Sequence, residues 1–358
     1  MRYLLPLAAT LAAVLCGCGG GSGSASPSPL QIVSVTPSTT DTPNSVATFG
    51  NYEFVSVQGT GQIFTYSIAS GSPVLAVPAY FTACNDPSGM VIATIGGNTV
   101  MAAACFDTST LLTLSVHSDG SLSRLGSVSG LPQPFPGIVL DGANVLVPLF
   151  GQSGLANGSI ARVSIASPSS PVITGSVTLA SPGPGQFVNP GYLAVASGTI
   201  YAVAGSENSP QTTSSTIQVV NESTMSLLGS PFPVAHSPQQ IAVQGSVAYV
   251  TLFDASQLES INIANPASLA ALQIAPLAAA NSQCNALPIA VSNQTAYVGC
   301  YNQGYIEQVD VSNPSNMRLT QIVTGIAFPQ RILPTAQNLL VTSSITGGQL
   351  YQIDLNAL

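Results

Sequence analysis

The chain has 358 residues, a formal net charge of −8, only 5% charged residues and 46% hydrophobic ones. It has no lysine, and its five arginines (Arg2, Arg124, Arg162, Arg318 and Arg331) face thirteen carboxylates. This balance excludes a Schiff-base lysine and a Walker-type phosphate loop. It also makes nucleic acid a poor partner, because phosphate binding needs clustered positive charge.

Residues 1–18 read as a targeting segment: Met1-Arg2 supplies the positive end, and Tyr3 to Leu15 is an apolar stretch too short to span a bilayer comfortably. Leu15-Cys16-Gly17-Cys18 resembles a bacterial lipobox with Cys18 as the lipidated residue, although Cys16 stands where a small or branched residue is usual. Ordinary secretory cleavage or an uncleaved anchor is the alternative. Residues 19–29 are Gly, Ser, Ala and Pro, a tether that cannot pack a core. Gly19, rather than Asp, after the cysteine favours an outer-membrane address in a diderm cell. The expected location is therefore the cell envelope, periplasmic or surface-facing.

From residue 30 onward the chain repeats itself. Leu30 to Pro37 is an isolated strand. Then Pro43, Pro87, Pro136, Pro190, Pro238, Pro288 and Pro329 each precede an apolar run, at separations of 44, 49, 54, 48, 50 and 41 residues. A second apolar run follows each proline, centred on Phe54, Met101, Leu146, Tyr201, Tyr249, Tyr297 and Leu340. Two further alternating segments complete a unit, as in Gln62 to Ile68 and Val74 to Val77, bounded by Gly, Pro, Asn and Ser. Seven units of roughly 40–50 residues with four strands each predict an all-β, seven-bladed β-propeller over residues 30–358 with antiparallel blades. The last unit lacks its fourth strand, so residues 30–37 are expected to close the ring by pairing with it.

Four cysteines fall in two matching pairs. Cys84 and Cys284 lie just before strand a of their units, and Cys105 and Cys300 end strand b. In an antiparallel hairpin these positions are neighbours, which predicts disulfides Cys84–Cys105 and Cys284–Cys300. A metal site built from all four cysteines is disfavoured, since the pairs sit four blades apart. No metal or cofactor is expected.

In a propeller the start of strand a rings one channel mouth. The residues beside the prolines there are varied and mostly uncharged. Asn189, Gln239, Gln240, Asn285 and Gln330 are the candidate ligand-binding amides. Asp86, His236 and Arg331 are the candidate catalytic groups. His236 or Asp86 would activate water, and Arg331 would polarise a carbonyl. The competing readings are a loop histidine, an Arg331 ion pair with Asp86 or a neighbour, and a turn aspartate before proline.

The phrases Ala248-Tyr249-Val250, Ala296-Tyr297-Val298 with Gln308-Val309-Asp310, and Gln352-Ile353-Asp354 resemble the YVTN-type and lactonase-like seven-bladed propellers of bacteria. That resemblance implies the propeller fold and includes sugar-lactone hydrolases, but no catalytic set from the family maps onto this chain. Two functions stay open. One is a lipid-anchored, non-catalytic module that binds a protein or small-molecule ligand, with a monomeric body and the membrane as a partner through the anchor alone. The other is a lactonase-like hydrolase of a small, non-phosphorylated lactone or ester.

Overall fold

A computed structural model describes residues 30–34, 42–69, 73–151, 156–183, 187–206, 215–234, 236–277, 284–343 and 348–355. The targeting segment, the tether and Cys18 lie outside them.

Seven four-stranded antiparallel sheets account for the described strands. In chain order the blades cover residues 42–81, 87–129, 139–178, 188–233, 238–276, 286–324 and 329–354. Within each of the first six, strands a to d run in sequence from the channel outward. The seventh supplies three strands of its own, and Leu30–Ser34 is added as its outermost strand. The register is antiparallel, from Leu30 against Ile353 to Ser34 against Gln349. The fold is thus the expected seven-bladed β-propeller, closed by the first strand of the body.

Burial follows strand order. Strands b are almost wholly buried, as in Tyr52–Gln58 and Asn144–Leu149, while strands d such as Val172–Thr178 alternate between exposed and half-buried residues. A strand sandwiched between two sheets needs apolar residues on both faces, and an outer strand does not. Consecutive blades share hydrophobic clusters, for instance Phe54 and Ile63 of blade 1 with Met101 and Leu114 of blade 2. Blade 7 packs on blade 1 in the same way, through Leu340 and Leu350 against Val55 and Val57.

With so few charges, hydroxyls join the blades. Thr65 donates to the Gly120 carbonyl of the next blade at 3.0 Å, and Ser260 donates to Pro314 at 2.6 Å. Tyr201 and Tyr249 donate to Ile263 and Val311 of the following blade, each at 3.4 Å. Arg162 plays the same part with charge: it donates to the Ser223 carbonyl at 3.0 Å and lies 3.7 Å from Glu222.

Both disulfides are present, Cys84–Cys105 with Cα atoms 6.0 Å apart and Cys284–Cys300 with 4.5 Å. Each joins the approach to strand a to the end of strand b.

Candidate functional site

The prolines act through β-bulges. In six blades the a–b register slips at or beside the proline: after Pro43, Pro87, Pro190, Pro238 and Pro329, and across Pro288. Proline cannot donate to the ladder, and a bulge absorbs that defect while re-aiming the neighbouring side chains. In blade 3 Pro136 stands outside the sheet, and strand a shrinks to Val139–Asp141. The loops leading into strand a turn through the left-handed region at Ala83, Gln133, His236, Asn285 and Phe328.

Past the bulges, the channel lining mixes apolar side chains with Ser45, Gln240 and Arg331. Met90, Val139, Leu193, Ile241, Ile289 and Ile332, one from each of blades 2 to 7, line a cavity of about 200 Å³. Arg331 crosses it. Its guanidinium carbon sits 4.7 Å from the Tyr192 ring centroid, and its Nη2 donates to the Pro136 carbonyl. The side chain therefore links blade 7 to blades 3 and 4, and the ion pair with Asp86 does not form. The reason is reach: the bulge after Pro329 aims Arg331 across the channel, where a carbonyl and an aromatic face satisfy it.

Asp86 sits on the blade 2 rim. It accepts from Asn44 Nδ2 at 3.2 Å and Gln58 Nε2 at 3.1 Å. Burial pushes its carboxyl above the usual range, the Asn44 bond opposes this, the nearby Asp107 charge adds to it, and the Gln58 bond opposes it. His236 stands at a left-handed turn position. Neither Asp86 nor His236 lines the channel cavity, so the three catalytic candidates do not meet there.

The five amides divide. Gln240 ties blades together: its Oε1 accepts from Ile289 N at 3.4 Å, and its Nε2 donates to the Gln330 carbonyl at 3.3 Å. Asn285 accepts from Asn302 Nδ2 at 2.9 Å. Asn189 and Gln239, in contrast, line a second cavity of about 360 Å³ at the proline-side mouth, over blades 3 to 5. Neither Asn285 nor Gln330 reaches it.

This cleft was hidden in the sequence because its walls are aromatic. Phe135 and Phe150 stand 4.8 Å apart, and Tyr192 meets Phe135 edge-on at 6.1 Å. Phe135 directly precedes Pro136, the repeat proline of blade 3, and Phe150 directly follows strand b. The second position holds Phe106, Phe253 and Tyr301 in other blades, a recurrence that aligning the repeats by strand b would have exposed. Asn189 is 5% exposed. Its Oδ1 accepts from Gly151 N at 2.7 Å, which fixes the amide, while its Nδ2 has no hydrogen-bond partner among the described residues. Gln239 Nε2 donates to Ser237 Oγ at 3.0 Å on the opposite wall. No charged side chain lines the cleft among the described residues.

Among families, the LVIVD repeat matches residues 284–325, which is blade 6 with its disulfide. No curated protein sequence matches the chain significantly. Solved structures with the same fold include virginiamycin B lyase from Staphylococcus aureus, at 11% identity and TM-score 0.66, covering 91% of this chain and 99% of the other. The periplasmic gluconolactonase of Pseudomonas aeruginosa is 16% identical at TM-score 0.64, covering 88% and 92%. BamB from Moraxella catarrhalis is 10% identical at TM-score 0.55, covering 87% and 84%. At these identities the likeness is one of fold, and the neighbours do not share one activity by name.

Proposed function

We propose that this protein is a lipid-anchored, extracytoplasmic binding module, held at the envelope through Cys18 and the 19–29 tether, with the aromatic cleft as its ligand site. The observation that carries the reading is the cleft of about 360 Å³, in which Phe135, Phe150 and Tyr192 stand beside the amides of Asn189 and Gln239. No described residue of the cleft pairs a nucleophile or base with a positioned acid, so recognition suits it better than turnover. The test is a hydrolysis screen on full-length protein with glucono-δ-lactone and p-nitrophenyl esters. The expected result is no rate above buffer, and none changed by Arg331→Ala. Turnover that disappears with Arg331→Ala would replace this reading with the lactonase-like one, which the gluconolactonase neighbour keeps in view. Metabolic labelling with a fatty acid, lost in Cys18→Ser, tests the anchor.

A further inference from the structure

We infer that the cleft takes a neutral saccharide, and that a longer glycan extends from it across the same mouth; this rests on the cleft being the ligand site. The chemistry of the walls supports it. A sugar ring has an apolar C–H face and an oxygen-rich edge. The cleft offers Phe135 and Phe150 for the face, and Gln239, Ser237 and the Asn189 amide for the edge. Its volume of about 360 Å³ lies at the small end of the roughly 300–1,000 Å³ range of small-molecule sites.

Charge narrows the class further. An ionised sugar would meet no counter-charge in the cleft, because no lysine exists and Arg331 is held by Pro136 and Tyr192 on the channel side. A peptide carbonyl also accepts from an amide, so a peptide is the rival occupant that the titration separates from a sugar.

A second aromatic group supports the extension. Tyr301 lies 6.4 Å from Phe253 and 5.3 Å from Phe328, ring centre to ring centre. Phe328 precedes the repeat proline Pro329 as Phe135 precedes the repeat proline Pro136, and Phe253 and Tyr301 follow strands b as Phe150 does. The two groups therefore stand at the same end of the propeller. Phe328 is 37% exposed and sits at φ 44°, a conformation unusual for a bulky side chain. Aromatic platforms at repeated positions on one face suit successive rings of a polymer.

The chain has no tryptophan, so Phe150→Trp provides a clean fluorescent reporter that keeps the aromatic wall. Full-length protein in a detergent without a sugar headgroup would be titrated with cellobiose, maltose, N,N′-diacetylchitobiose and their tetramers. Tri-alanine and indole would serve as the peptide and plain aromatic probes. The expected result is saturable quenching by at least one neutral sugar. Phe150→Ala and Asn189→Asp should each weaken it at least tenfold by calorimetry, and Phe328→Ala should weaken only the tetramer. Asn189→Asp keeps the acceptor for Gly151 and removes the donor, and thermal melting of each variant verifies its fold. Response to tri-alanine or indole with none to sugars overturns the saccharide assignment and leaves the cleft as a site. No response to any probe overturns the assignment and, with it, the cleft as a site for these classes. Sugar binding indifferent to Phe150→Ala and Asn189→Asp overturns both, by placing the site elsewhere.

Discussion

Two carboxylates show how single residues shape this protein's response to pH. Glu53 in strand b of blade 1 is fully buried, and neither of its carboxylate oxygens has a hydrogen-bond partner among the described residues. Glu259 in strand c of blade 5 is 4% exposed, with Oε2 in the same state. Burial pushes each carboxyl from 4.5 up to about 7. The folded protein thus holds these protons more tightly than the unfolded chain. Their contribution to stability is complete below pH 4.5 and is lost as pH rises to about 7. For Glu53, the more deeply buried of the two, the shift corresponds to roughly 3 kcal/mol. Urea midpoints should therefore fall between pH 4.5 and about 7. Glu53→Gln with Glu259→Gln should flatten the profile by raising the midpoint on the alkaline side. A midpoint independent of pH in the parent protein would contradict this. Gly137 makes a second residue-scale prediction. It forms a parallel bridge to Tyr192, and a Cβ there would lie 2.3 Å from the Gly191 carbonyl oxygen and 2.5 Å from Tyr192 Cα. Both contacts are backbone, so blades 3 and 4 must part. Gly137→Ala should cost about 1–3 kcal/mol by denaturation, and it should weaken ligand binding in the cleft built on that seam.

At the scale of elements, the hairpin between strands a and b carries most of the information. The Cys284–Cys300 bridge spans 16 residues of it, and a loop of that length is worth about 3 kcal/mol in the chain-entropy model. Cys284→Ala with Cys300→Ala should lower unfolding stability by about that much, and reductant should then have little further effect on blade 6. The same hairpin explains what was legible in the sequence. Its proline, apolar run, turn and second run recur with enough regularity to reveal seven blades. The cysteines obey the same geometry, because antiparallel pairing puts the start of a beside the end of b. Side-chain direction was not legible, because a one-residue bulge turns the residues after it to a different side. Gln240 and Arg331, two positions past the proline, consequently face the channel and neighbouring blades. Asn189, one position before it, faces the cleft. The aromatic wall lay outside a search confined to polar residues.

At the scale of the whole molecule, ring closure decides whether the blades share one fate. Each blade buries its faces against two neighbours, and blade 7 meets blade 1 across the Leu340, Leu350, Val55 and Val57 cluster. That contact joins the two ends of the body by packing alone. The strand Leu30–Ser34 adds a second join, because it leads into blade 1 in sequence but belongs to blade 7 in hydrogen bonding. To open the ring at this seam, the chain must break both the packed face and five paired positions of ladder. Deleting residues 30–37 removes the ladder and leaves the cluster. It also turns Gln349–Asp354 into an outer edge carrying Leu350, Tyr351 and Ile353, with open backbone groups. Other outer strands, such as Val172–Thr178, are mostly exposed and carry polar residues, whereas this one is built as an inner strand, with buried residues at four of its six positions. The deletion should therefore lower the melting temperature, broaden the transition as blades 7 and 1 separate first, and produce concentration-dependent aggregation visible by light scattering. Supplying the missing strand as a free peptide of residues 30–37 should suppress that aggregation. A deletion variant that stays monomeric and melts as the parent does would mean that the packed seam alone holds the ring.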